Sequence, residues 1–390
     1  MRVAGIIAEY DPFHLGHAYH IRKTREEGAD AVCVVMSGDC VQRGFPALFS
    51  KFDRAEAAVR NGADLVLELP VQYAVSGAPV FAEYAVRMLS ELGEGVISML
   101  SFGSETGNLT LLRRAADKLE ELSDSEEVRL LMSQGMGYAK AVSTAAGKAG
   151  EVLQNPNDML AAEYIRAAKK YMPNIRLLAV ERLGASHNSS EADEHSISAS
   201  LIREKFPDPS VLKYIPDEFH TLVPTDYKRF DEFVYINTVL SANSEHLLQL
   251  PDGDEALASR VGSVIGTSVK NNLYLPVSQE FAKAIASKSL SYAKVRRILL
   301  GLLLGLRKSD IDGIPFGRIL AINKTGTRIL AEVKKKNGLY CRTSLSELRK
   351  QSDFAQRSAE LMIQASRIQQ IFSCGRIVSN EYTRKITVMK

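Results

Sequence analysis

With 390 residues, 45% of them hydrophobic and 24% charged, the chain has an ordinary globular composition and enough length for a large core in two or three domains. Its most apolar run, Ile298–Leu306, is short and broken by glycines, so no transmembrane helix is expected. The net charge of +3 hides an asymmetry: residues 1–225 hold 23 Lys+Arg against 31 Asp+Glu, and residues 226–390 hold 26 against 15. The basic second part suits a polyanion partner, with a plain solvated basic surface the equal alternative on charge alone.

In chain order, the apolar run Val3, Ile6, Ile7 reads as a strand ending at Glu9–Tyr10, and Asp11–Pro12 forces a turn. His14, Gly16 and His17 follow, with a helical pattern starting at His17. A strand–turn–helix of this kind sets two imidazoles beside a glycine at a helix N-terminus, where free N–H groups and the helix dipole favour phosphate. Because the chain starts directly in a strand, no signal peptide is expected. Cys33, Cys40, Cys341 and Cys374 show no CxxC spacing and no disulfide framework, so free, buried thiols in a cytoplasmic protein are expected.

Further strands are expected at Ala31–Met36, Asp64–Leu69, Val96–Leu100 and Arg176–Val180. Between them, Val80, Phe81, Tyr84, Ala85, Met88, Leu89 and Leu92 keep the helical period. The alternation predicts an α/β fold with a parallel sheet covered on both faces and a ligand beyond the strands' carboxyl ends. The loop after the second strand, Ser37 to Gly44, offers Asp39 and Gln42 to orient a substrate and Arg43 to hold a carboxylate or phosphate. Lys51–Arg60 reads as a helix, with Lys51 and Arg54 as further positive charge or, more simply for Arg54, exposed helix surface. Gly103 in Ser101–Glu105 would let a flat base approach, or mark a simple turn.

Leu111–Leu131 reads as scaffold helix. Asn157 sits in a turn before the helix Met159–Lys170, where N-capping is the simplest role and reading an adenine edge the other. Arg182 leads into a polar loop, 188–195, with the composition of a lid. Ser198, Ser200 and Arg203 follow at a helix start. Past Pro207 and Pro209, helices are expected at Tyr227–Leu240, Asp254–Thr267, Gln279–Ser287 and Ser291–Leu306. Strands Phe316–Ile322 and Thr327–Val333 would flank a turn at Asn323–Gly326, and one or two helices fill Ser344–Phe372. A boundary near residue 205 divides an expected catalytic domain, 1–205, from a helical, basic region with a small β element, 206–390.

The motif His14-Leu15-Gly16-His17 resembles the HxGH signature of nucleotidyltransferases of the class I synthetase type, and Ile197–Arg203 resembles their ISSTxxR-type second signature. Taken together, IIAEYDPFHLGH, VMSGDCVQRG, GADLVLELP, LSFGSE, PNDML, ERLGAS and SASLIR resemble the bacterial tRNA(Met) cytidine acetate ligases. The resemblance implies a Rossmann-like HUP nucleotidyltransferase domain and a two-step ligase. Acetate and ATP would give acetyl-adenylate, and N4 of the wobble cytidine of elongator tRNA(Met) would then take the acetyl group. It implies His14 and His17 as catalytic. An ATP site would comprise Ile7, Ala8, Glu9, Tyr10, Pro12, Phe13, His14, Gly16, His17, His20, Gly103, Asn157 and Arg182. Ser198, Ser200 and Arg203 would hold pyrophosphate, Asp39, Gln42 and Arg43 would form the substrate loop, and Mg²⁺ would bridge the ATP phosphates with no protein metal site. No obligate protein partner is expected. The chain departs from the family pattern at Asp11, Leu15, Asp39, Cys40, Asp158 and Ser186. Two other readings are a small-molecule adenylyltransferase of the same superfamily and a non-catalytic RNA-binding protein that keeps a nucleotide pocket.

Overall fold

In the computed structural model all residues are described except 123–124, 135, 137, 183–196, 271–278, 288–289, 375–380, 382–385 and 390. Among the described residues the strands are β1 (Val3–Ala8), β2 (Ala31–Ser37), β3 (Cys40–Val41), β4 (Phe45–Pro46), β5 (Leu65–Leu69), β6 (Met99–Ser104), β7 (Arg176–Glu181), β8 (Gly317–Asn323), β9 (Cys341–Arg342) and β10 (Thr387–Met389). The main sheet runs β10-β8-β5-β2-β1-β6-β7, with β9 beside β8. Strands β5, β2, β1, β6 and β7 are mutually parallel, and in chain order (β1, β2, β5, β6, β7) each leads to the next through a helical crossover. The apolar runs of β1, β2 and β5 are buried on both faces, as helices on either side of a parallel sheet require, while the edge strand β7 is only partly covered.

The five strands expected in the first half are all present as β1, β2, β5, β6 and β7. The strand expected at Val96–Leu100 begins later, at Met99. Val96 and Ile97 are buried, but the Val96 amide bonds the Gly93 carbonyl in a turn, so their burial comes before the sheet is reached.

The second half completes this sheet. Strand β8 lies antiparallel to β5, Leu65 opposite Ile322 and Glu68 opposite Arg318, and β10 pairs with β8. The change near residue 205 is therefore one of secondary structure, and the sheet runs across it. Helices Tyr227–Ser241, Glu255–Lys270, Gln279–Ile285, Tyr292–Leu304 and Asp353–Cys374 build a second core. That core takes in Cys40, Val71 and Val75 from the first half.

The expected strand Thr327–Val333 is instead part of a helix, Lys324–Lys335. Asn323 is its N-cap, its side-chain oxygen accepting from the Gly326 amide at 3.0 Å. Ile329 and Val333, four apart, bury one face, and a Cβ on Gly326 would collide with the Asp64 carbonyl. The same letters that suggest a hairpin turn are a cap and a close approach. No helix among the described residues is long and apolar enough to cross a membrane.

Candidate active site

A cavity of about 310 Å³ opens at the carboxyl ends of β1, β6 and β7. Its first wall is the β1 exit. Tyr10 takes a left-handed backbone (φ 48°), rare for a residue with a bulky side chain, and its ring meets those of Phe13 and His17 edge-on. The helix Leu15–Glu26 then starts with a reciprocal cap made by the two histidines. His14 Nδ1 accepts from the Gly16 amide at 3.1 Å, and His17 Nδ1 accepts from the His14 amide at 3.2 Å.

The two rings stack 3.8 Å apart. Burial, with Arg182 and Arg203 nearby, lowers His14 to about 3; burial and then His14 itself hold His17 well below the usual imidazole value. Both rings are neutral at pH 7. Because each Nδ1 accepts a backbone hydrogen, each proton sits on Nε2. The pair is thus two neutral N–H donors at a helix N-terminus. His20, one turn on, meets the Ser101 hydroxyl at 2.9 Å and is lowered to about 4, by burial first and then Arg182.

The opposite wall holds the cations. Arg43 Nη1 donates to Ser200 Oγ at 2.6 Å and Arg203 Nη2 donates to the same oxygen at 3.1 Å. Arg203 also donates to the Asp11 carbonyl and lies 3.5 Å from its carboxylate. The negative charge that Asp11 brings is therefore answered inside the protein, and Asp11 further accepts the Leu48 amide at 2.6 Å. Burial, and next the Arg203 charge, lowers Arg43; burial lowers Arg182. Glu9 accepts the Gln42 amide at 2.7 Å, and burial raises its pKa. Ser198 caps the helix Ala199–Lys205 by accepting from Leu201 N at 3.2 Å.

Of the residues expected at the ATP site, Ile7, Ala8, Glu9, Tyr10, His14, Gly16, His17, His20, Gly103, Asn157, Arg182, Ser198, Ser200 and Arg203 line this cavity, as do Gln42 and Arg43. Three expected residues do not. Phe13 is fully buried in the core beneath β1 and β2, and Pro12, next to it in the chain, is buried as well. Asp39, expected in the substrate loop, is 2% exposed and accepts the Lys51 amide at 2.8 Å, a structural task away from the cavity.

Lys51 and Arg54 are likewise turned inward. Lys51 bonds Glu68 at 2.8 Å and Glu381 at 2.7 Å. Burial alone would lower Lys51, yet the carboxylates around it, Glu381 first, raise it. Arg54 donates to the carbonyls of Phe49, Glu9, Ser37 and Gly38, tying the exits of β1 and β2 together.

Asn157 does not cap its helix, which runs Pro156–Tyr171 with Asn155 as the cap position. Its side chain donates to Glu105 at 2.6 Å, at the cavity edge. Asp158 is fully buried and accepts from Ser104 Oγ, the Glu105 amide at 3.0 Å and Asn155 Nδ2 at 3.0 Å. It clamps this helix to the end of β6.

The sequence reading missed the apolar wall of Phe81, Phe102, Leu160, Tyr164, Val180 and Ile197. Pro156, Leu160 and Tyr164, each four apart, mark one helical face and were the available signal; Phe81 carries none beyond being apolar. The Ser186–His187 position and the expected lid, 188–195, lie outside the described residues. Cys33, Cys40 and Cys341 are free and buried. No group of three or more His, Cys, Asp or Glu that could hold a metal occurs among the described residues.

Residues 1–384 match the HIGH Nucleotidyl Transferase family. A tRNA(Met) cytidine acetate ligase of Thermoanaerobacter sp. (strain X514) is 34% identical over 368 residues, covering 89% of this chain and 90% of its own length. The crystal structure of apo Thermotoga maritima TmcAL superposes with a TM-score of 0.85 at 26% identity, and the form bound with alpha-thio ATP with 0.82, each over the full length of both chains. An apolar wall, a paired-imidazole cap and an arginine cluster around one cavity are thus found on a fold shared with a nucleotide-bound relative, and the chain belongs to the tRNA(Met) cytidine acetate ligase family of HIGH nucleotidyl transferases.

Proposed function

We propose that this protein activates acetate with ATP and passes the acetyl group to N4 of the wobble cytidine of elongator tRNA(Met). The observation that carries the proposal is the pair of neutral Nε2–H donors of His14 and His17, set at a helix N-terminus inside a cavity ringed by Arg43, Arg182 and Arg203.

ATP brings about four negative charges, so catalysis at its α-phosphorus is chiefly positioning and charge stabilisation. In the first step an acetate oxygen attacks the α-phosphorus, and the bond to the bridging oxygen of pyrophosphate breaks. His14 and His17 donate to the α-phosphate oxygens as charge builds there. Being neutral, they do so without holding the product by a full charge. Ser198, Ser200 and Arg203 receive pyrophosphate. Gln42 and Arg43 hold the acetate carboxylate, and the apolar wall of Phe102, Leu160 and Tyr164 takes the adenine, with Gly103 and Asn157 at its edge.

In the second step N4 attacks the acetyl carbon, the bond to AMP breaks, and N4 loses a proton. Bases in an anticodon loop are unstacked and accessible to such a site. Mg²⁺ fits as a companion of the triphosphate, supplying charge neutralisation. Of the carboxylates lining the cavity, Glu9 is already engaged by the Gln42 amide and Asp11 by Arg203. The basic second half would contact the tRNA backbone, and a tRNA substrate implies a cytoplasmic location.

The test is acetate-dependent exchange of labelled pyrophosphate into ATP, followed by acetyl transfer to elongator tRNA(Met). Both are expected. Exchange driven by a phosphorylated metabolite in place of acetate would favour the small-molecule adenylyltransferase, and ATP binding without exchange would favour the silent RNA-binding protein.

A further inference from the structure

Gln42 and Arg43 reach the cavity from the tip of a hairpin that is too short to hold itself. Strands β3 and β4 pair through two residue pairs, Cys40 with Pro46 and Val41 with Phe45. An isolated two-stranded ribbon, even a longer one, is marginal in water. Something else fixes the tip, and the structure shows what.

The Arg296 guanidinium lies 3.8 Å from the centre of the Phe45 ring. Arg296 stands on the helix Tyr292–Leu304, its side chain 1% exposed, and is ion-paired with Asp231 of the helix Tyr227–Ser241. Its Nε and Nη2 find no acceptor among the described residues, so the ring face is what meets this part of a buried cation. Tyr227 also packs edge-on with Phe45, their ring centres 5.5 Å apart.

Next to Phe45, Gly44 has φ 78°, and a Cβ there would stand 2.5 Å from the Arg296 carbonyl carbon and the Arg297 amide. The hairpin backbone is thus pressed onto the helix backbone. Arg297 Nη1 reaches the Gln42 carbonyl at 3.5 Å. From this held frame the Gln42 amide bonds Glu9 and Arg43 bonds Ser200.

We propose that Arg296, acting through Phe45, is a positioning residue for the reaction: the helical half of the molecule sets where Gln42 and Arg43 stand in the cavity of the sheet half. This rests on the proposed function for its assay and extends it. The site is incomplete without the helical half, even though, among the described residues, none lining the cavity comes from beyond Arg203. Anything that shifts the helices Tyr227–Ser241 and Tyr292–Leu304 shifts the substrate loop with them.

The test uses the full chain and acetate-dependent pyrophosphate exchange, with thermal melts as a fold control. Arg296→Met and, separately, Phe45→Leu are expected to raise KM for acetate about tenfold, a difference of about 1.4 kcal/mol. KM for ATP should stay within about twofold, because the histidine cap is untouched. Phe45→Tyr, which keeps the ring face, is expected to restore the acetate KM. If Arg296→Met fails to fold, Phe45→Leu, on a half-buried ring, carries the test. Folded variants whose acetate KM equals that of the parent would overturn the positioning role. A parent protein with no acetate-dependent exchange would instead overturn the proposed function.

Discussion

Two stacked imidazoles that cap one helix, and that burial keeps neutral, give expectations at the level of single side chains. Exchange activity should be level from about pH 8 to about pH 6, because the usual titration of histidine is absent there; an activity profile with an inflection near the ordinary imidazole value would contradict it. His17→Ala should lower exchange at least about 100-fold, the scale of losing one donor to a developing charge. The same shifts bear on stability. The folded-state values of His14 and His20, about 3 and about 4, lie below the unfolded value of 6.5. Their contribution is therefore complete above about 6.5 and is lost as pH falls through the folded values, when the unfolded chain takes up protons that the folded one refuses. Melting temperature should drop across that window, and less steeply in His20→Gln. Asp158→Ala should cost about 2–4 kcal/mol in urea unfolding, since it strands the donors of Ser104 and Glu105. That the two histidines stand together at a helix start was legible because their motif is local, contained in four letters at a strand-to-helix turn. Lys51, Arg54 and Asp39 were not: a charged residue reads as surface until its partners are known, and one partner of Lys51 lies 330 positions away.

Among the elements, the apolar runs of the parallel strands could be read directly, because a strand buried on both faces needs no alternation to show itself. The segment 327–333 was misread for a matching reason. Ile329, Leu330 and Val333 suit a strand as well as a helix, and only the Asn323 cap decides between them. Asn323 also donates to the Asp64 carboxylate at 2.9 Å, so it fastens the new helix to the entry of β5. Asn323→Ala should destabilise the fold by at least about 1 kcal/mol, read as a lower urea midpoint with an unchanged slope; an unchanged midpoint would show the cap to be idle. The strand β8 itself was expected, but not its place: pairing across 250 residues leaves no mark in local spacing. The substrate-loop hairpin was visible only as glycines around a polar tip, and its anchorage on Arg296 depends on helices far along the chain.

For the whole molecule, the charge asymmetry between the halves predicts that affinity for tRNA falls linearly with the logarithm of salt concentration, with a slope of about −0.7 to −0.9 for each phosphate neutralised. A flat response in a filter-binding titration would remove the electrostatic argument for the second half. The route of the sheet carries a different consequence. Among the described residues, every one around the cavity precedes position 204, yet the neighbour that covers β5 is not reached until residue 317. A polypeptide emerging from the ribosome thus displays the backbone amides and carbonyls of Leu65–Leu69 as a bare margin for more than a hundred further residues. Such margins recruit strands from other chains. The fragment 1–205 made alone is therefore expected to sediment as aggregate where the whole chain stays in solution, and a soluble fragment would show that β5 needs no such cover.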